Sequence, residues 1–235
     1  MWSGPRNIST AMMRAWGNRP DTFVCDEPLY AHYLLITGKD HPGRDEVIAA
    51  HETDWRKVAA LLTGPTPGGK RIFYQKQMTH HLLPNIDRGW LAGLTHAFLI
   101  RHPREVILSY LRKNTTLDLP DTGFPQQVEI FDWVSDRAAA LPPVVDARDV
   151  LEDPRRTLGR LCEALGVPFL DSMLSWPPGP RPTDGAWARH WYAEVERSTS
   201  FQPYSPSDDP VPPALAPIYD QCMPLYERLY SARLR

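Results

Sequence analysis

The chain lacks the features that would commit it to a membrane, to nucleic acid or to an oxidising compartment. No apolar run approaches the ~18 residues that cross a bilayer, and no basic segment followed by an apolar one opens the sequence. Neither a membrane partner nor a secretory signal is therefore expected. Charge of one sign is also missing: 26 Lys and Arg against 28 Asp and Glu leave a net charge of −2. That balance gives no bulk attraction to nucleic acid or to an anionic lipid surface, so any anion site must be local. Cysteine is scarce, with Cys25, Cys162 and Cys222 scattered and without CxxC spacing. An odd, dispersed set excludes a disulfide framework and a structural zinc site, and a reducing cytoplasm is the expected location. Internal repeats and low-complexity tracts are absent, as is the nucleoside-triphosphate loop GxxxxGK[ST].

Proline, by contrast, is plentiful. The 25 prolines gather in 120–125, 142–143, 176–182 and 203–217, which marks irregular connections in the second half of the chain. The Pro-rich stretches are too short to join separate domains, and 235 residues fit one large core, so a single domain over 1–235 is expected.

Short β-prone runs stand at Thr22-Phe23-Val24-Cys25, Arg71-Ile72-Phe73-Tyr74, Ala97-Phe98-Leu99-Ile100 and Val144-Val145-Asp146-Ala147, with segments of helical period between them. A helix is predicted from about Ser9 to Gly17, stopped by Gly17-Asn18-Arg19-Pro20. Another runs from Pro103 to about Lys113, opening with proline in its first turn. Asp153-Pro154 caps a third, which Gly166 closes. A last helix spans roughly Ala214 to Leu229, with Pro217 and Pro224 expected to bend or interrupt it. Alternating strands and helices of this length imply parallel pairing and right-handed crossovers, hence a three-layer α/β/α fold with a mainly parallel sheet.

In such sheets ligands sit beyond the carboxyl ends of the strands. After the 22–25 run come Asp26-Glu27-Pro28, after 71–74 Gln75-Lys76, and after 97–100 Arg101-His102-Pro103. The opening stretch Ser3-Gly4-Pro5-Arg6-Asn7-Ile8-Ser9-Thr10 adds a Gly/Pro turn, a cation and two hydroxyls at a helix start. The unpaired N–H groups and macrodipole there favour a phosphate. Arg6, Ser9, Thr10, Glu27, Lys76 and Arg101 are thus expected at one edge. Only Met1 and Trp2 precede the opening loop, so a stub is expected in place of the central strand, unless the true start lies upstream.

Two of these segments carry a resemblance. Ser3 to Thr10 at a helix start, followed by Phe98-Leu99-Ile100-Arg101-His102-Pro103-Arg104-Glu105-Val106-Ile107-Leu108-Ser109-Tyr110, resembles the two nucleotide loops of the sulfotransferase family. Asp146 to Pro154 and Leu161 to Phe169 resemble the same family's later strand and helix, so the likeness runs over residues 3–169. It implies a P-loop NTPase-like sulfotransferase fold and use of 3′-phosphoadenosine 5′-phosphosulfate, with adenosine 3′,5′-bisphosphate as product. The resemblance assigns the 5′-phosphosulfate to Gly4, Pro5, Arg6, Asn7, Ile8, Ser9 and Thr10, with Arg6 in place of the lysine common in relatives. It assigns the 3′-phosphate to Arg101 and Ser109.

Because Arg101 stands where an NTPase places a magnesium-binding Asp, a metal-free site is expected. Glu27 resembles the glutamate base of one branch, with an ion pair to Arg14 or Lys76 as the rival reading. Lys76 is assigned to the transferring sulfonate or the acceptor. Arg6, Glu27 and Lys76 form the expected catalytic set.

The family's late glycine-rich basic motif is not visible. Arg197 with Ser198 is taken as the contact in its place, and Trp187, His190, Trp191 and 198–201 as a closing loop. The cluster Trp176, Trp187, Trp191 and Tyr192 reads equally as core packing. His80 and His81 are adjacent without a second pair, which disfavours a metal site. Asp146 and Asp149 read as loop or cap residues. Two other classes compete with a sulfotransferase: a P-loop kinase or NTPase, and a binding homologue without catalysis. The acceptor is expected to be a small molecule met by loops 28–65, 114–130 and 176–206.

Overall fold

The computed structural model describes residues 1–112, 116–206 and 209–235. In chain order it begins with β1 (Trp2–Ser3), α1 (Ser9–Gly17), β2 (Thr22–Asp26), α2 (Tyr30–Thr37), α3 (Arg44–Ala50), α4 (Trp55–Thr63), β3 (Ile72–Met78) and β4 (Phe98–Ile100). It continues with α5 (Pro103–Leu111), α6 (Phe124–Ser135), β5 (Val144–Asp146), α7 (Ala147–Glu152), α8 (Pro154–Ala164), α9 (Ala188–Trp191), α10 (Ala193–Arg197) and α11 (Ala216–Ser231). The chain is α/β, and its described strand pairs are parallel. It divides into two compact units, neither of them one continuous stretch of sequence.

The first unit holds Met1, residues 9–94 and residues 170–201. Its strands β2 and β3 run in register from Thr22 opposite Ile72 to Asp26 opposite Lys76. Helix α1 packs on this pair, burying Met12, Met13, Ala15 and Trp16, while the Trp16 ring stacks on Tyr74. β3 is longer than the 71–74 run predicted: buried Gln75 and Lys76 continue the ladder with β2, and the strand runs on through Gln77 to Met78. Lys76 therefore lies inside a strand and not in the turn after it. The stretch 28–65, expected as loop, contains α2, α3 and α4. Asp54 caps α4 by accepting the Arg56 N–H at 2.9 Å.

The second unit holds residues 2–8, 95–169 and 202–235. Here β4 pairs with β1 on one side and β5 on the other. The stub is a two-residue strand: Trp2 faces Phe98 and Ser3 faces Leu99. Phe98, Leu99, Ile100, Val144 and Val145 are buried, as continuous apolar runs in a parallel sheet should be. α5 starts at Pro103 as predicted and its described part ends at Leu111; the expected end at Lys113, and Asn114 and Thr115 of the expected acceptor loop, lie outside the described residues. α11 begins at Ala216 rather than Ala214 and runs through Pro224 without interruption. Pro217 sits in its first turn, where a missing N–H costs no helical hydrogen bond. Asp146 is a cap, accepting the Arg148 N–H at 2.7 Å. Asp149 lies within α7 and accepts from Arg233 at 3.1 Å, so it is an ion-pair residue rather than a loop or cap.

Candidate functional site

The predicted nucleotide residues of the second unit meet through short polar contacts. Gly4 follows β1 against Thr122, whose carbonyl oxygen would lie 2.8 Å from an added Cβ, so only glycine fits without a shift. Pro5 and Arg6 then turn the chain, and Arg6 takes φ = 55°. A bulky residue in that left-handed region costs about 1–2 kcal/mol and persists where the surroundings hold it. Two contacts do so. Arg101, directly after β4, donates from Nη1 to the Arg6 carbonyl at 2.9 Å, and Arg6 donates from Nε to Ser109 Oγ on α5 at 3.1 Å. Asn7 steadies the same loop, donating from Nδ2 to the Leu99 carbonyl at 3.0 Å and accepting the Ile8 N–H at 2.9 Å. Arg101 also donates from Nε to Glu105 Oε2 at 2.8 Å. His102 caps α5, accepting the Arg104 N–H at 3.3 Å.

The predicted proton-transfer residues belong to the first unit. Glu27 follows β2 with φ = 39°, the other positive φ of a non-glycine residue among those described. Parallel register sets Asp26 opposite Lys76, and Lys76 Nζ donates to Asp26 Oδ1 at 2.9 Å. The same ammonium donates to Glu27 Oε1 and, at 2.7 Å, to Tyr192 Oη. Tyr192 in turn donates to Asp26 Oδ2 at 2.7 Å and accepts from Trp187 Nε1 at 3.2 Å. The three N–H donors of Lys76 thus match three oxygen partners. Lys76, 1% exposed, is a buried organiser of carboxylates. Arg14, the rival partner for Glu27, instead forms a bidentate pair with Asp184 at 2.5 and 2.7 Å.

One ammonium against two carboxylates leaves a surplus negative charge in a water-poor place. Burial raises the Glu27 pKa, Lys76 opposes that rise and the Asp26 charge adds to it, for a net upward shift. Burial works against the Lys76 ammonium, but Asp26 and Glu27 more than offset it and raise its pKa well above the usual lysine value. A carboxylate moved upward toward neutrality is suited to general-base work.

His81, unpromising as a metal ligand, is a neighbour of Glu27. Its Nδ1 lies 3.9 Å from Glu27 Oε2, and its ring stacks on Tyr30 with centroids 4.7 Å apart. Burial, then the neighbouring His80, lowers its pKa well below the usual histidine value, which keeps the ring neutral. The available signal was its position five residues beyond Lys76, just past the end of β3. Adjacent His80 and His81 occupy a 3-10 turn, Thr79–His81, and both pack on Tyr33.

Against this geometry stands one family match, to the sulfotransferase domain, over residues 1–233. The chain belongs to the sulfotransferase domain family. Two solved sulfotransferase domains share its fold. One, from the curacin biosynthetic pathway, superposes with a TM-score of 0.57 at 17% identity, covering 94% of this chain and 95% of that one. The other, from the Synechococcus PCC 7002 olefin synthase, gives 0.59 at 20% identity, covering 100% and 94%. Two Arabidopsis thaliana proteins are closer in sequence. Branched-chain-amino-acid aminotransferase-like protein 2 is 34% identical over 229 residues, 97% of this chain and 40% of that protein. The like-named protein 1 is 36% identical over 233 residues, 98% and 41%. The chain thus spans about two fifths of the length of these curated relatives.

Within this sulfotransferase domain Trp176, Trp187, Tyr192 and the 198–201 run pack in the first unit. Trp187 is 1% exposed, in edge contact with Tyr30, and Tyr192 belongs to the Lys76 network. Trp176 donates to Ser198 Oγ at 3.1 Å and meets Phe201 edge-on, while Ser175 bridges Ser200. The 198–201 run is therefore bound to 175–176, and Arg197 ends α10 exposed to solvent. Ser9 and Thr10 begin α1 in this unit, Ser9 buried and Thr10 half-buried. No described helix is long and apolar enough to cross a membrane.

Proposed function

We propose that the chain transfers a sulfonate group from 3′-phosphoadenosine 5′-phosphosulfate to a hydroxyl or amine of a small-molecule acceptor, releasing adenosine 3′,5′-bisphosphate. The observation that carries the reading is the Arg101–Arg6–Ser109 arrangement. The Arg101 guanidinium, bonded to the Arg6 carbonyl at 2.9 Å, and the Arg6 guanidinium, bonded to Ser109 Oγ at 3.1 Å, make with that hydroxyl a donor set that fits anionic oxygens. The family membership supports it. The reading calls for no metal ion, since Arg101 occupies the place where an NTPase sets its magnesium-binding carboxylate.

In this reading Arg101 and Ser109 hold the 3′-phosphate, and Gly4 to Thr10 hold the 5′ end. The bound nucleotide supplies the sulfonate. Arg6 stabilises negative charge at the leaving oxygen with a fork that stays ionised. Glu27 takes the acceptor's proton, its pKa set by burial, Lys76 and Asp26. Lys76, assigned from sequence to the sulfonate or acceptor, acts here through Glu27 as a positioning residue. Arg197 is retained as a nucleotide contact that its exposure permits. Three cysteine thiols fit a reducing cytoplasm.

Calorimetry with adenosine 3′,5′-bisphosphate and with Mg-ATP tests the reading. Micromolar binding of the bisphosphate, with weaker binding of Mg-ATP, is expected. Preference for Mg-ATP would transfer the site to the kinase or NTPase class. Bisphosphate binding without transfer to any hydroxyl or amine would make the chain a binding homologue.

A further inference from the structure

Arg101 is held from two sides, and one of the holders is itself held. Of the five N–H donors of its guanidinium, one on Nε goes to Glu105 Oε2 and one on Nη1 to the Arg6 carbonyl. A planar group anchored at two of its nitrogens has a fixed plane, and its remaining Nη hydrogens have fixed directions. Glu105 lies four residues further along α5, one helical turn from Arg101. An exposed pair of this spacing contributes little, because two long side chains must be ordered to make it. This one is not left to itself. Glu105 Oε1 accepts from Tyr204 Oη at 2.6 Å, so both carboxylate oxygens are occupied. The Arg148 guanidinium lies over the Tyr204 ring, 5.2 Å from its centroid, and adds a cation–π contact to the phenol.

We propose that Glu105 and Tyr204 form a positioning relay on Arg101 that sets the chain's preference for a 3′-phosphorylated nucleotide over the corresponding 5′-monophosphate. The inference rests on the nucleotide reading given above and adds two residues that touch neither substrate nor reacting atoms. Tyr204 comes from the Pro-rich 203–217 segment, 99 residues beyond Glu105, which ties that segment to the presentation of a single guanidinium. The protonation states agree with this role. Burial opposes the Glu105 carboxylate, but the Tyr204 and Arg101 hydrogen bonds hold its pKa below the usual range. Burial and the Glu105 bond push the Tyr204 phenol up to about 12, so it remains a donor.

A rival role for Glu105 exists in the same geometry. Its negative charge beside Arg101 would repel a phosphate, and removing it would then tighten binding. The two roles give opposite signs. Calorimetry on the full chain measures Kd for adenosine 3′,5′-bisphosphate and adenosine 5′-monophosphate, and the monophosphate Kd divided by the bisphosphate Kd isolates the 3′-phosphate. Positioning predicts that Glu105→Ala lowers this ratio about tenfold and Tyr204→Phe about threefold. Glu105→Gln keeps an acceptor for Arg101 Nε and should stay within about twofold of the parent protein. Melting curves establish that each variant is folded, and Tyr204→Phe, which removes one oxygen atom, carries the test if Glu105→Ala does not fold. Bisphosphate affinity that rises in both Glu105 variants, or a ratio unchanged in Glu105→Ala and Tyr204→Phe, overturns the relay while leaving the nucleotide reading intact. A parent protein that binds neither nucleotide overturns that reading and the relay together.

Discussion

Arg101 donates from Nη1 to the carbonyl oxygen of Arg6 at 2.9 Å, and Arg6 holds a left-handed backbone with φ = 55°. One guanidinium thus fixes the loop that carries the other. The relationship has a cost in backbone strain and a direct consequence for binding.

Replacing Arg101 with Ala removes the loop contact and the proposed phosphate contact at once. Loss of charge-assisted hydrogen bonds worth about 3 kcal/mol predicts a bisphosphate affinity at least about a hundredfold weaker by calorimetry. Arg101→Lys should not restore it. A single ammonium on a flexible stem cannot serve Glu105, the Arg6 carbonyl and a phosphate with fixed geometry.

Arg6→Gly separates stability from function. Glycine relieves about 1 kcal/mol of left-handed strain and forfeits a hydrogen bond to Ser109 of similar size. The melting temperature should therefore change by only a few degrees. Transfer activity, measured with labelled donor, should fall about a hundredfold or more.

Asp26→Asn should move the acid limb of the pH–rate profile to lower pH. The proposed base role requires ionised Glu27, and the Asp26 charge is one of the causes that raise its pKa. With that charge gone, Lys76 acts on Glu27 alone and the base ionises at lower pH. A limb that stays in place, followed as kcat/KM against pH, would take Glu27 out of the base role.

Lys76→Met leaves Asp26 and Glu27 buried without their cation. Breaking such a pair from one side costs about 3–5 kcal/mol, which urea denaturation would show. Adding Asp26→Leu to Lys76→Met removes one orphaned carboxylate and should recover part of the loss.

Asp146 gives a pH dependence of stability unconnected with catalysis. Burial raises its pKa to about 6 despite hydrogen bonds from Tyr226 Oη and the Arg148 N–H. A group with a raised folded-state value contributes its stabilisation in full below the unfolded value near 4 and loses it as pH rises through about 6. Asp146→Asn keeps the cap without the charge. Its stability relative to the parent should improve by about 2 kcal/mol between pH 4 and pH 7.5 in thermal melts at the two pH values.

Much of the second unit's site was legible in the residues because its signals are local. The Gly4–Thr10 turn, Arg101 after a β-prone run, Pro103 opening a helix and Ser109 eight residues past Arg101 are short-range features. Each can be read from a few neighbouring residues, while the pairing of β1 with β4 brings the turn and Arg101 together. The first unit's site was less legible. The sequence offers Lys76 as one of two ion-pair partners for Glu27, but nothing local in it joins Asp26, Tyr192, Trp187 or His81 to them. β3 continues past Tyr74 because Gln75 and Lys76 keep pairing with Cys25 and Asp26 while their side chains find polar partners, which a hydrophobicity pattern does not register.

The sequence by itself determined the α/β alternation, most helix starts, the Gly/Pro turn before α1 and the family, since caps, prolines, glycines and apolar periodicity act over a few residues. Tertiary structure alone decided that Arg14 belongs to Asp184, that Lys76 spends its donors on Asp26, Glu27 and Tyr192, and that Tyr204 reaches Glu105. Those contacts join side chains between 49 and 170 positions apart. The physical reason is that a buried charge is satisfied by whichever oppositely charged or polar group the packed backbone delivers to it, and no local pattern encodes that delivery.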